Sequence, residues 1–181
     1  MKRIIPLLAL ILPSCGGNYP PLDTVPSVDL ERYMGTWHEI ARLPNSFQKH
    51  CWNSTAEYAL MDGGTVRVIN RCEQDSSGGE IDEAVGKAWV VEGSGNAKLK
   101  VSFFWPFRGD YWILELDPDY RWVAVGTPSR EYLWILARER SIDDELYTTL
   151  LRRLKDKGFD TSRLITRNDM SEKGNSADIL P

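Results

Sequence analysis

From residue 36 to residue 138 the chain alternates between short strand-like segments and clusters of turn-forming residues. The clusters are rich in Gly, Asp, Asn, Ser and Pro, which reverse the chain and interrupt strands. Between them lie eight candidate strands, at residues 36–43, 53–60, 65–72, 82–92, 97–104, 110–116, 121–126 and 131–138. Consecutive strands joined by short turns predict an all-β, antiparallel up-and-down sheet. Eight such strands can close into a barrel wide enough for one small ligand.

Side-chain alternation along two of these strands indicates what the inside of the barrel contains. In 97–104 polar and apolar residues alternate. The apolar set, which is placed on the inner face, is Leu99, Val101 and Phe103. In 82–92 an outward Lys87 places small residues on the inner face, namely Ala84, Gly86, Ala88 and Val90. Small side chains facing large ones leave space, so the pattern favours a cavity. A barrel packed solid with side chains is the alternative.

The N-terminal residues resemble a bacterial lipoprotein signal. Two basic residues precede an apolar run at 4–12, which is too short to span a bilayer and suits a signal peptide. The run ends in Leu12-Pro13-Ser14-Cys15, similar to a lipobox, so Cys15 is the expected lipidation site. We therefore expect a signal peptide at 1–14, a lipid-anchored flexible tether at 15–28, a folded domain at 29–168 and a disordered tail at 169–181. An ordinary signal peptide with an incidental Cys is the alternative.

Export to an oxidising compartment leaves Cys51 and Cys72 as an even pair. A hairpin that turns near Asp62 brings these two residues opposite each other within a residue or two. A disulfide between them is therefore predicted, worth roughly 3 kcal/mol in the chain-entropy model. Two Cys and two distant His, His38 and His50, are too few for a metal site, so no metal is expected.

After the last strand the hydrophobic period changes to that of a helix. Ser141 begins a Ser-x-x-acid pattern typical of a helix start, apolar residues follow at helical spacing, and Gly158 is placed to end the helix. One amphipathic α-helix after eight strands is expected to pack on the outside of the barrel. A groove for a partner protein is the alternative for its apolar face. A helical turn at 29–34 and a short last strand near 164–167 are also expected.

Three blocks of the chain resemble the lipocalin family, specifically the bacterial outer-membrane lipocalins and the apolipoprotein D group. The first is Gly35-x-Trp37 within YMGTWHEIARLPNSFQ. The second is KLKVSFF at 98–104, followed by Pro-Phe at 106–107 and YWIL at 111–114. The third is YLWILAR at 132–138. The three blocks follow one another collinearly, and the resemblance covers residues 28–167. Two small departures are Glu131, where the family often has Asp, and His38, where it often has Tyr.

The resemblance implies a structural floor to the barrel, formed by Gly35, Trp37 and Arg138. Trp37 would lie at the closed end with the Arg138 guanidinium across its ring. An inward Trp37 also places Glu39 on the inner wall, where a carboxylate needs a partner. We expect Glu39 to have a structural hydrogen-bonding role near the barrel base, and contact with a polar ligand head group is the alternative.

The resemblance also implies a function. It predicts a lipocalin calyx that binds a fatty acid such as palmitate or a lysophospholipid, with no cofactor. It also predicts a lipid anchor at the periplasmic face of the bacterial outer membrane. The residue after Cys15 is Gly16, not the Asp that in that family signals inner-membrane retention. The predicted ligand-binding residues are Ala56, Tyr58, Val68, Ala84, Ala88, Val101, Phe103, Tyr111, Val125, Trp134 and Leu136. Four of them are expected at the open end, namely Tyr58, Phe103, Tyr111 and Trp134.

Other classes of function are less well supported by the sequence. The net charge of −4 and the absence of a basic cluster argue against a nucleic-acid partner. The chain lacks the Gly-x-Ser-x-Gly, His-Glu-x-x-His and Walker motifs, so we do not expect an enzyme. The alternatives are an envelope interaction scaffold with a filled barrel and, with less support, a lipid-modifying enzyme. The sequence leaves open whether the protein forms a homodimer, and whether it transports, stores or scavenges its ligand.

Overall fold

The computed structural model describes residues 19–166. The signal peptide, Cys15 and the tail at 169–181 fall outside the described residues, as do positions 15–18 of the tether. Single 3₁₀ turns lie at Ser46–Gln48, Asp62–Gly64 and Thr161–Arg163. Within the described range the helices are α1 (Leu30–Tyr33) and α2 (Asp144–Asp156). The strands in this range are β1 (Gly35–Arg42), β2 (Cys51–Leu60), β3 (Thr65–Gln74), β4 (Ile81–Val90), β5 (Lys98–Ser102), β6 (Gly109–Leu116), β7 (Trp122–Gly126), β8 (Leu133–Ala137) and β9 (Ile165–Thr166).

The sheet closes into a barrel through β1. From β2 to β8 each strand pairs antiparallel with the next, and β1 pairs with both β2 and β8. Trp37 lies opposite Ala56 on β2, and His38 lies opposite Ala137 on β8. Over the described residues this confirms the predicted eight-stranded antiparallel barrel. The short β9 adds to the far end of β1 outside the closed ring, as the pattern at 164–167 predicted.

Antiparallel order sorts the connections to two ends of the barrel. The loops at 43–50, 75–80, 103–108 and 127–132 lie at one end. The hairpin at 61–64 and the connections at 91–97 and 117–121 lie at the other, where α1 precedes the start of β1. Arg138 follows β8 at this second end and donates to the backbone of 32–36. The second end is therefore closed, and the first is free to open.

The disulfide joins the two strands of the first hairpin. Cys51 and Cys72 are bonded, with their Cα atoms 5.2 Å apart, which confirms the prediction. The hairpin turns at Asp62–Gly64, as expected, and a bulge between Trp52 and Thr55 shifts the register near Cys51.

Helix α2 packs its apolar face on the outside of the barrel. Leu150 and Leu154 are completely buried, in a cluster with Leu114 and Ile135 from the outer face of the sheet. Burying each Leu contributes about 1.5–3 kcal/mol. The leucines of this helix are therefore used for packing within the chain, as the sequence favoured.

The two ends of α2 are fixed by local hydrogen bonds. The predicted start at Ser141 is wrong, because the carboxylate of Asp143 accepts from the backbone N–H of Glu145 and Leu146, at 2.9 and 3.1 Å, and caps the helix two residues later. At the other end Gly158 takes a φ of +90°, which a side chain would disfavour. The N–H of Phe159 then bonds the carbonyl of Leu154, and this Schellman arrangement ends the helix at the expected glycine.

Candidate ligand-binding cavity

The barrel encloses a cavity of about 810 Å³ that opens between the four loops of the first end. This volume lies within the range of about 300–1,000 Å³ that is typical of small-molecule sites. Aromatic and apolar side chains from three of these loops lie at the mouth, namely Phe47, Phe104, Phe107, Pro128 and Tyr132. The barrel is therefore partly hollow, as the alternation of small and large side chains favoured.

Most of the predicted ligand-binding residues lie on the cavity wall. These are Ala56, Tyr58, Val68, Ala84, Ala88, Val101, Phe103, Tyr111, Trp134 and Leu136. Val125 does not lie on the wall: it is fully buried in a cluster with Trp37, Ile113 and Val123. The sequence prediction included Val125 in the ligand-binding set, but the sequence does not show which inner residues are covered by others. Ligand contact by the ten wall residues remains a prediction.

On its inner face β4 carries small residues, namely Ala84, Gly86 and Ala88. A Cβ atom added to Gly86 would lie 2.8 Å from the ring of Phe103 and 2.7 Å from the Ser102 carbonyl. The Phe103 ring therefore lies against the β4 backbone, where no side chain could fit. Ala84 and Ala88, on the same face of β4, leave the adjoining volume open.

The closed end is formed by Trp37 and Arg138. The Trp37 ring is completely buried, and the guanidinium carbon of Arg138 lies 3.8 Å from its centroid. Arg138 also donates to the backbone carbonyls of Thr36 and Met34, both at 2.8 Å. Gly35 has a φ of +91°, and a Cβ atom added to it would lie 3.4 Å from this guanidinium. The three residues are thus arranged as the resemblance implied, beneath the cavity and outside its wall.

Above this floor three tyrosine hydroxyls meet inside the barrel. We call Tyr33, Tyr58 and Tyr111 the tyrosine cluster. The Tyr111 hydroxyl lies 2.7 Å from that of Tyr33 and 2.9 Å from that of Tyr58. Burial raises the pKa of Tyr58 to about 12, and it raises the pKa values of Tyr33 and Tyr111 well above the ordinary value. All three therefore stay neutral at physiological pH.

The depth of Tyr58 differs from the sequence expectation. Tyr58 and Tyr111 were expected at the open end, but Tyr58 lies opposite Gly35, next to the floor, and the Tyr111 hydroxyl meets that of Tyr58 there. The reason is that β2 begins at the open end with Cys51, so position 58 lies deep inside. Sequence reasoning also missed three wall residues from α1 and the residue after it, Leu30, Tyr33 and Met34. A short helical turn carries no strand periodicity that would place it under a barrel.

Glu39 belongs to a polar network near the mouth. Its carboxylate pairs with Arg42 and accepts from the Gln48 side-chain amide at 2.9 Å. The Gln48 amide oxygen in turn accepts from the Trp134 indole N–H, also at 2.9 Å. Glu39 and Arg42 are both almost fully buried. The network ties the first loop to the barrel wall, which is the structural role expected for Glu39. The expected place near the base is wrong, because β1 runs toward the open end and the partners of Glu39 lie there.

The mouth carries the most exposed aromatic side chains of the described residues. Phe104, Trp105 and Phe107 are 81%, 76% and 76% exposed, and we call them the aromatic rim. Arg108 follows them directly, with its guanidinium carbon 4.8 Å from the Trp89 ring and 5.3 Å from the Trp105 ring. The mouth thus combines apolar surface with a cation.

The described residues hold no group of three or more His, Cys, Asp and Glu side chains that could bind a metal ion. His50 lies on the surface and pairs with Asp75 at 2.8 Å. No helix among residues 19–166 is long and apolar enough to cross a membrane.

Comparison with known proteins places these features in a family. Residues 28–169 match the family model described as a lipocalin-like domain. The chain is 39% identical over 160 residues to the outer membrane lipoprotein Blc of Vibrio cholerae, covering 88% of this chain and 93% of that protein. It is 31% identical over 173 residues to mouse apolipoprotein D, covering 91% and 87%. Insecticyanin of the tobacco hornworm has the same fold, with a TM-score of 0.66 at 22% identity, covering 83% and 85% of the two chains.

Proposed function

Because the chain belongs to the lipocalin family, we propose that it carries a hydrophobic ligand, a fatty acid or a lysophospholipid, in its barrel cavity. The observation that carries the proposal is the open cavity of about 810 Å³ with mostly apolar walls, in a protein whose floor is sealed by Trp37 and Arg138. A barrel filled with side chains would offer no such volume. The protein acts as a carrier in this proposal and catalyses no reaction.

The cavity wall supplies the affinity. Each buried CH₂ group of a ligand contributes about 0.8 kcal/mol. An acyl chain of about sixteen carbons therefore gains several kcal/mol even after the cost of ordering the chain. Apolar walls accept many chains of similar width, which fits a carrier of a lipid class.

The mouth suits the head group of such a lipid. Arg108 lies there beside two indole rings and can pair with a carboxylate or phosphate. The aromatic rim gives an acyl chain an apolar surface to cross on its way into the cavity. A lipid bound with its head at Arg108 would direct its chain toward the tyrosine cluster.

We further propose that Cys15 is lipid-modified and holds the protein at the periplasmic face of the bacterial outer membrane. The lipobox-like run before Cys15 and relatives named as outer membrane lipoproteins support this location. Native mass spectrometry of protein extracted from its own membrane would give the mass of the N-terminal acyl groups and of any lipid that remains bound. An unmodified Cys15 would refute the anchor.

The carrier function is tested by displacement of a fluorescent fatty acid from the purified protein. Palmitic acid and a lysophospholipid of equal chain length are expected to displace the probe in a saturable way. The matched control is Ala84→Trp, which fills the cavity from the inner wall. Failure of all lipids with C12 to C18 chains to displace the probe would instead favour an interaction scaffold.

A further inference from the structure

The tyrosine cluster introduces polar atoms among apolar side chains in the deepest part of the cavity. Tyr33 comes from α1, Tyr58 from β2 and Tyr111 from β6, and all three side chains line the cavity. Their neighbours on the wall include Val66, Val68 and Leu99. Such an arrangement from three separate elements places hydroxyl groups where the far end of a bound chain would lie.

The hydrogen bonds within the cluster leave one donor unused. Three phenols carry three hydroxyl hydrogens, but within the described residues only two hydrogen bonds join them, both through Tyr111. Whichever way the hydroxyls are oriented, one O–H has no protein acceptor. In the ligand-free protein water in the cavity can accept it. A ligand that displaces that water with an alkyl terminus leaves the donor unsatisfied, which costs affinity.

The surroundings of the cluster favour an uncharged acceptor. The cationic residues on the described wall are Arg71 and Arg108. Arg71 is bonded to Glu57 and Glu83, each at 2.7 Å, and Arg108 lies at the mouth. Arg138 lies below the floor and directs its N–H groups to backbone carbonyls. A carboxylate at this depth would lack a partner cation, whereas a carbonyl or hydroxyl oxygen needs only the donor.

We propose that the tyrosine cluster is a subsite for an uncharged oxygen, and that the ligand is a lipid with a hydroxyl or keto group on the part of its chain that lies deepest. This inference rests on the proposed carrier function and narrows its ligand class from plain acyl chains to oxygenated ones. The acidic or phosphate head remains at the mouth, and the second polar group satisfies the unused phenol hydrogen. A free lone pair of a phenol oxygen accepts the hydrogen of a ligand hydroxyl.

The test compares palmitic acid with analogues that carry one hydroxyl or keto group, moved stepwise from mid-chain to chain end. At least one analogue is expected to bind the native protein about tenfold more tightly than palmitic acid, the loss expected for an unsatisfied buried donor. The decisive variant is Tyr33→Phe/Tyr58→Phe/Tyr111→Phe, which removes every hydroxyl of the cluster. It is expected to lose the preference and to bind palmitic acid more tightly than the native protein does.

A single substitution gives a second signature. Tyr58→Phe removes one hydroxyl and its hydrogen bond to Tyr111. Tyr33 and Tyr111 then carry two hydroxyl hydrogens but share one hydrogen bond, so one donor is still unused. This variant is therefore expected to retain the preference for oxygenated lipids. Tyr19→Phe, at a half-exposed phenol outside the barrel, is the matched control for the loss of a hydroxyl. If the triple variant does not fold, Tyr111→Phe decides the question: it removes both hydrogen bonds and leaves two donors unused, so the preference should increase, and an unchanged preference would overturn the subsite.

The outcomes separate the two proposals. Equal affinity for palmitic acid and every oxygenated analogue in the native protein would overturn the subsite and leave the carrier function intact. A preference that persists unchanged in the triple variant would also overturn it. Failure of all these lipids to bind would overturn the carrier function itself.

Discussion

Replacing Arg138 with Met is expected to destabilise the protein by about 3.5–5 kcal/mol, because the residue seals the barrel floor. Met preserves most of the length of the side chain and removes the charge and the donors. Stacking on the Trp37 ring, with the guanidinium carbon at 3.8 Å, contributes about 0.5–2 kcal/mol. Hydrogen bonds from a charged group are each worth about 1.5–3 kcal/mol when buried.

Values somewhat below that range apply to the bonds of Arg138. The carbonyls of Arg32, Thr36 and Met34 accept from Arg138 at 2.9, 2.8 and 2.8 Å, and two of these bonds are exposed, so water can replace the guanidinium there. About 1 kcal/mol for each bond, added to the stacking, leads to the stated total. For a domain with about 5–15 kcal/mol of stability this is a large fraction.

The assay is equilibrium unfolding in urea, followed by tryptophan fluorescence and by circular dichroism. Arg138→Lys, which keeps the charge but loses the planar fork, is expected to fall between the native protein and Arg138→Met. Arg152→Met is the control, since Arg152 is exposed on α2 and its replacement should change stability by less than about 1 kcal/mol. Equal midpoints for Arg138→Met and Arg152→Met would refute the structural role of the floor.

Three further predictions concern the disulfide, the cavity and the tyrosine cluster. Cys51→Ala/Cys72→Ala is expected to lose about 3 kcal/mol in the same urea assay, and adding a reductant to this variant should change nothing further. Ala84→Trp is expected to weaken displacement of a fluorescent fatty acid by at least about tenfold, whereas Lys87→Trp on the outer face should leave it unchanged; equal effects would contradict the assigned inner face. Burial raises the pKa of Tyr58 to about 12, above its unfolded value of about 10, so its contribution to stability is fully present below pH 10 and is lost as the pH rises toward 12. Unfolding free energies measured from pH 8 to pH 12 should therefore fall less steeply at the alkaline end in Tyr58→Phe, and an unchanged slope would contradict this assignment.

The features of the fold and of the cavity that the sequence predicted correctly are those that follow from local periodicity. Alternation along 97–104 placed Leu99, Val101 and Phe103 on the inner face, where they line the cavity. Turn residues near Asp62 fixed the hairpin and hence the Cys51–Cys72 bond. Both inferences depend on contacts between neighbours in sequence or between strands joined by a short turn, so the register follows from counting residues.

The features that sequence reasoning missed depend on depth and on competition between side chains. Val125 faces inward but is covered, and Tyr58 lies deep because its strand starts at the mouth. Periodicity determines the face of a residue but not its height in a barrel or what lies above it. The cap expected at Ser141 is wrong, because the carboxylate of Asp143 bonds the helix N–H groups directly. The contribution of Tyr33 requires knowledge of how α1 folds beneath the barrel.

The distribution of packed residues explains how a small barrel keeps a large opening. One packed cluster lies at the floor, where Trp37 and Val123 are fully buried. A second lies outside the barrel, where Leu150 and Leu154 of α2 press on the sheet. Since burial of apolar area provides most of the stability, these two clusters can hold the fold without a filled lumen near the mouth. Substitutions on the upper cavity wall, such as Ala84→Trp, should therefore change ligand affinity far more than the free energy of unfolding.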